Sequence, residues 1–224
     1  MAVASVLDVV RLLWPEGGRL LDVGCGAGGL VQSLKAAGYD AHGCDPQAEL
    51  IGRARVTLGN DTFSVAHAEH LPYPDGQFDG ALMVHSLHHV PQAAMTGALR
   101  EALRCIGRGG YLAVTEPTAD GSFFEVLRLI DDETTVRRQA QAALAEGMRN
   151  GMLHQVAEYA WVRRQVFADA DGLLAFAVAA DPVRATRARE LKPVITERFL
   201  AHGIPAPGGY AFEQPIRCGV FTAA

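Results

Sequence analysis

Several functional classes are excluded by what this sequence lacks. None of its 224 residues lies in an apolar run approaching the ~18 that a membrane span requires, so no membrane insertion is expected. Its four cysteines, Cys25, Cys44, Cys105 and Cys218, lie far apart and form no CxxC pair, so no metal site is read from them. They read instead as small buried thiols, which fits a reducing, cytoplasmic compartment. Basic charge is also in short supply: 20 Lys and Arg face 25 Asp and Glu, for a net charge of −5, and nothing marks a nucleic-acid surface. Repeats and low-complexity tracts are missing as well. The opening stretch MAVASVLDVVRLLW has the look of a signal peptide, but Asp8 and Arg11 interrupt it and no basic segment precedes it. Val3, Val6, Leu7, Val10 and Leu13 follow helical spacing, which predicts an amphipathic helix.

What is present, 49% hydrophobic residues with 24 glycines, fits one globular domain carrying a modest insertion. The first half alternates strand and helix signals. RLLDVG, YDAHGCD, TFSVAHA, FDGALMV and YLAVTEP read as five strands. Helices are expected over about 30–37, 50–56 and 92–106, with Gly38 as a C-cap. Such alternation predicts a doubly wound, Rossmann-like α/β sheet, mostly parallel and covered on both faces. From Thr118 to Glu158 the chain reads as helical with no strand, and the block 118–160 is expected to be a helical insertion after the fifth strand, a candidate substrate lid. EYAWVRRQVFAD is a possible sixth strand, residues 171–202 read as helical, and FEQPIRCGVFTA closes the chain as an antiparallel strand near the sheet edge or beside strand five.

Chemistry concentrates where the first strand ends. In LLDVGCGAGG, the glycines allow a sharp turn and a close backbone approach to a ligand at the next helix N-terminus. Gly24, Gly26 and Gly29 also satisfy GxGxxG, a pattern shared with nicotinamide and flavin folds. Asp22 separates the two ligand types, because a carboxylate there repels a pyrophosphate and welcomes a cationic amino acid. Asp45 ends the second strand, about 20 residues beyond the glycines, where a carboxylate can accept from both ribose hydroxyls. The plainer reading of Asp45 is a loop residue capping the helix that starts near Pro46.

Together LLDVGCGAGG, GCDP, AEHLPYPDGQFD and the strand running into LHHV resemble the class I S-adenosylmethionine-dependent methyltransferases, especially the group with the ubiquinone and menaquinone enzymes. The resemblance covers roughly residues 18–117. It implies S-adenosyl-L-methionine as cofactor, with S-adenosyl-L-homocysteine as product and a small molecule as acceptor. It also implies that Asp22, Gly24, Cys25, Gly26 and Gly28 line the methionine and ribose end, and that Asp45 holds the ribose. Pro46 and Gln47 would flank the adenine, Ala68 and Glu69 would reach its edge, and Val84 and His85 would pass the sulfonium. Family members often carry Asp before that Ala; here it is His67.

Methyl transfer from a sulfonium is an in-line displacement in which the cofactor carries the difficult chemistry. Hydroxyl and carbon acceptors must also lose a proton, which suits a histidine. His85, His88 and Glu116 are the catalytic candidates, since all leave strands at the ligand-binding edge. The competing reading has the LHHV histidines packing or capping a helix and Glu116 as a loop carboxylate. Phe123, Phe124, Met148 and Met152 read as core before they read as an acceptor pocket, and the Arg-rich stretches 137–138 and 184–189 as solvated helix faces. Two other functions remain open on sequence grounds: a catalytically silent S-adenosylmethionine-binding protein, and an NAD-dependent oxidoreductase.

Overall fold

The computed structural model describes residues 3–223. Two compact units emerge from its contacts: one takes the chain to Glu116, Gln139–Ala160 and the residues from Arg217, the other Pro117–Arg138 and Trp161–Ile216. The elements in chain order are α1 (Val6–Leu13), β1 (Arg19–Val23), α2 (Gly29–Ala36), β2 (Asp40–Asp45), α3 (Ala48–Leu58), β3 (Phe63–Val65), β4 (Phe78–Val84), α4 (Gln92–Cys105) and β5 (Ile106–Pro117). There follow α5 (Ser122–Leu127), α6 (Thr134–Arg149), β6 (Leu153–Phe167), α7 (Ala170–Ala180), α8 (Ala185–Glu190), α9 (Lys192–His202), β7 (Ile204–Ala206) and β8 (Gly209–Ala223).

The sheet has the order β3-β2-β1-β4-β5-β8-β6, with β7 paired to β8. β1 runs parallel to both β2 and β4, as do β2 with β3 and β4 with β5. The C-terminal strands are antiparallel, so the sheet is mixed but mostly parallel, and the Rossmann-like expectation holds. Strand order reverses between β1 and β4, and open α/β sheets bind ligands in the crevice at such a switch point. Apolar runs become largely buried strands, β1 and β4 above all. Their side chains join Leu99 of α4 and Phe221 of β8 in the core of the first unit.

At the N-terminus, the Ser5 hydroxyl caps α1 by accepting from the Asp8 N–H. Trp14 then lies over Gly80, where any Cβ would come within 2.0 Å of the indole ring. The second unit has its own core, in which Phe123, Leu173, Ile195, Phe199 and Phe212 come together. Phe123 and Phe124 are thus core residues, as their helical spacing suggests.

The block 118–160 departs from expectation. It is not wholly helical: Leu153 to Ala160 is the first half of β6. Nor does it behave as one body, because Ala140, Leu144 and Leu153 pack into the core of the first unit. From Glu158 on, β6 is the sixth strand expected from EYAWVRRQVFAD, and the unexpected part is Leu153 to Ala157, where a strand at the sheet edge continues into the block read as helical. The Arg-rich stretches differ too. Arg137 pairs with Glu133 at 2.7 Å and donates to the Thr118 carbonyl, while Arg184 pairs with Asp131 at 2.7 Å. These are internal ties of the second unit. All four cysteines are buried and form no disulfide, and burial pushes the Cys44 thiol up to about 12, away from the reactive thiolate. Among the described residues no helix is long and apolar enough to cross a membrane.

Candidate active site

Every residue of the candidate cofactor site lies in the first unit. Gly24, Gly26 and Gly28 all have left-handed backbones, with φ of 82°, 54° and 82°, a region that L side chains enter at a cost. Gly24 also lacks room: a Cβ there would sit 2.4 Å from Cβ of Ser86. Ser86 in turn donates from its hydroxyl to the Val23 carbonyl at 2.7 Å. The ends of β1 and β4 are therefore stitched together at the switch point.

Asp45 is 6% exposed. One of its oxygens accepts from the Gly26 N–H at 3.0 Å and the other from the Gln47 N–H at 2.9 Å. It thus fastens the glycine loop to the end of β2 and also forms the turn into α3, so the capping reading is part of its role. Each oxygen keeps a further lone pair. Asp22, 2% exposed, has no hydrogen bond to its carboxylate among the described residues. Burial, with the Asp45 charge adding to it, pushes its carboxyl up to about 7. Cys25 packs its sulfur against Gly43, where a Cβ would lie 2.7 Å away.

Pro46 and Gln47 are exposed beyond β2. Ala68 packs on the core, and Glu69 rests its Cβ 3.5 Å from where a side chain on Gly97 of α4 would start. His67 is exposed, and its carbonyl accepts from the His70 N–H. Sequence reading missed what holds the following loop. Arg104 donates to the Leu71 and Tyr73 carbonyls at 3.1 and 2.7 Å, and pairs with Glu101 and Asp75. Glu101 itself accepts from the Leu71 N–H at 3.0 Å. A Glu-x-x-Arg spacing on one helix face was the available signal, but only the fold brings the loop to it. Arg104→Ala is expected to lower stability by about 1–3 kcal/mol, because two buried carbonyls and Glu101 lose their donor. An unchanged denaturant midpoint would remove Arg104 from this role.

The β4 exit holds the catalytic candidates. His85 has φ of 55°, the sole non-glycine residue with positive φ among those described, and its N–H donates to the Thr115 carbonyl at 2.8 Å. Such strain persists where surrounding structure enforces it, and functional sites are its usual place. Val84 and His85 are half-buried. Glu116 and His88 are 1% and 4% exposed. One Glu116 oxygen accepts from the Leu87 N–H at 2.9 Å, and the other forms a close pair with Nδ1 of His88. Glu116 is therefore no loop carboxylate; it holds His88 and the turn after β4.

Among curated proteins, the chain is 35% identical over 106 residues to the 2-methyl-6-phytyl-1,4-hydroquinone methyltransferase of Synechocystis. It is 34% identical over 109 residues to the ubiquinone/menaquinone biosynthesis C-methyltransferase of Rhizobium johnstonii. These matches cover 46% and 45% of this chain, and 33% and 42% of those proteins. Against the first curated relatives the chain spans only a third to about half of their lengths. A solved structure from Bacillus halodurans C-125, assigned as a methyltransferase, superposes with a TM-score of 0.63 at 17% identity, covering 96% of both chains, and so shares the fold. The family model describing a methyltransferase domain matches residues 4–170, and the chain accordingly belongs to the class I, S-adenosylmethionine-dependent methyltransferase family.

Proposed function

We propose that this protein transfers the methyl group of S-adenosylmethionine to a small-molecule acceptor. The observation that carries the reading is Asp22, a buried carboxylate without a partner at the foot of a loop whose three glycines are left-handed. A cationic ligand relieves the cost of an unpaired buried acid, whereas a dinucleotide pyrophosphate adds to it. The residues present fit the cofactor: Gly26 has open space where a Cβ would be, and Asp45 retains acceptor capacity for ribose hydroxyls. The bound cofactor supplies an electrophilic methyl on a sulfonium.

Around it, Gly24, Cys25, Gly26 and Gly28 give backbone contacts, and Asp22 faces the cationic end. Asp45 holds the ribose, Pro46, Ala68 and Glu69 border the adenine, and Val84 and His85 flank the sulfonium. His88, with Nδ1 held by Glu116, offers Nε2 for an acceptor's proton. Glu116 acts through His88 as a positioning residue.

Thermal melting with S-adenosylhomocysteine, S-adenosylmethionine, NAD and NADP tests the reading. Stabilisation of about 2.7 kcal/mol at ~100 times Kd, by the two sulfur compounds alone, is expected. A shift with the nicotinamides alone would overturn it. Asp45→Ala is expected to weaken S-adenosylhomocysteine binding by about 1.5–3 kcal/mol, and an unchanged calorimetric affinity would remove its ribose role.

Asp22 adds a pH dependence. A carboxyl with an ordinary value of 3.8, held near 7 in the fold, keeps its proton in the folded state after the unfolded chain has lost it. Its contribution therefore lowers stability as pH rises from about 4 to about 7, and levels off above that. Binding a cation opposite Asp22 must expel this proton. Cofactor affinity is thus expected to rise with pH up to about 7, with a proton released in calorimetry at pH 6 in buffers of different ionisation enthalpy. Affinity flat across that range would argue against contact between Asp22 and the cationic end.

A further inference from the structure

Among the described residues of the second unit, Arg163 is a half-buried cation with no carboxylate partner. Arg163 belongs to the half-buried row of β6 formed by Trp161, Arg163, Gln165 and Phe167, while Val162, Arg164 and Val166 face solvent. Its guanidinium carbon stands 5.7 Å from the ring centre of Phe123. Phe123 is stacked on Phe167, with centres 6.1 Å apart and planes within 9°. Nε of Arg163 is buried with no hydrogen-bond partner, and so is Oε1 of Gln165.

The contrast with neighbouring arginines is informative. Arg128, Arg137 and Arg184 of the same unit each pair with a carboxylate, whereas no ion pair among the described residues includes Arg163. The charge that acts on it is another cation, Arg137, which together with burial holds its guanidinium below the usual range. A long arginine on an edge strand can ordinarily carry its head into water. Here the head is kept over an aromatic ring, and a ring face compensates a desolvated ion far less than an anion does.

We propose that Arg163 and Gln165 form a site for an organic acid whose apolar body also carries a hydroxyl or N–H donor. A guanidinium fork matches a carboxylate with two parallel hydrogen bonds. Two positions along the strand, about 7 Å away on the same face, Gln165 supplies the acceptor that a hydroxyl or N–H donor requires. Phe167, half-buried and stacked on Phe123, provides apolar surface for the body between these groups.

Titration calorimetry on the full chain tests this with three probes, 4-hydroxybenzoate, 4-hydroxycinnamate and 12-hydroxydodecanoate, each beside its neutral primary amide. At least one acid is expected to bind roughly tenfold or more tightly than its amide, the scale of a charged hydrogen bond, and Arg163→Gln is expected to abolish that preference. Equal binding of acids and amides, no binding of any acid, or a preference that survives Arg163→Gln would overturn the proposal. The comparison of acid with amide on the unmodified protein decides the matter even if Arg163→Gln does not fold. S-adenosylhomocysteine is titrated in parallel. An acid preference in a protein that does not bind this nucleoside supports the anion site and counts against the methyl-transfer reading alone.

Discussion

Gly24→Ala is expected to destabilise the protein by ~2–5 kcal/mol and to remove detectable cofactor binding. Two costs combine. An alanine at φ of 82° occupies a left-handed backbone, roughly 1–2 kcal/mol above its preferred regions. Its methyl carbon would start 2.4 Å from Cβ of Ser86, and overpacking of this kind adds about 1–3 kcal/mol. The two loops cannot simply part, because Ser86 holds the Val23 carbonyl at the end of β1. At ~2–4 °C per kcal/mol for a chain of this size, the melting temperature should fall by about 4–20 °C. A Gly24→Ala, Ser86→Gly double variant, read against Ser86→Gly alone to allow for the lost hydrogen bond to Val23, should recover the packing part and leave the backbone part. Wild-type stability in Gly24→Ala alone would mean that the loop tolerates a side chain, and the close approach would lose its significance.

The second large effect is expected at Glu116. Glu116→Ala leaves the Leu87 N–H and Nδ1 of His88 without their acceptor in a buried place. Each unsatisfied group costs about 1–3 kcal/mol, and because both belong to one turn their sum is an upper bound. A loss of ~2–5 kcal/mol is expected, read from denaturant midpoints. Glu116→Gln keeps one oxygen, so it should retain most of the stability while turning His88 without a carboxylate behind it. If Glu116 positions a proton-accepting His88, this variant should lower kcat much more than KM and shift the acidic limb of the pH–rate profile. Its S-adenosylhomocysteine affinity should stay near wild type. An unaltered pH–rate profile would reduce Glu116 to a structural tie.

Most of the first half was readable from residue order. Buried parallel strands advertise themselves as continuous apolar runs, and glycines after a strand mark a turn that needs left-handed backbone. For these reasons β1, β2, β4 and the loop at Gly24–Gly28 fall where pattern reading puts them. β6 was half missed for an equally physical reason. From Leu153 to Phe167 the residues on its half-buried side include Gln155, Arg163 and Gln165, while Val156, Val162 and Val166 lie outward. Leu153, Ala157, Tyr159, Trp161 and Phe167 share the inner side with these polar residues, so both faces mix apolar and polar residues and the alternation points only weakly to a core. Arg137 and Arg184 were misread because a charge pattern cannot reveal that Glu133 and Asp131 meet them inside the unit.

By itself the sequence determined the class of fold, the place of the glycine loop and the acidic residues at the ends of the first two strands, because periodicity and turn chemistry are local properties of the chain. Only the tertiary structure decided that Asp45 ties the glycine loop, that Asp22 is left without a partner, that Glu116 lies against His88, and that Arg104 holds the loop before β4. These are relations between residues up to about 30 positions apart, and burial and pairing across such separations exist only once the strands have assembled in order.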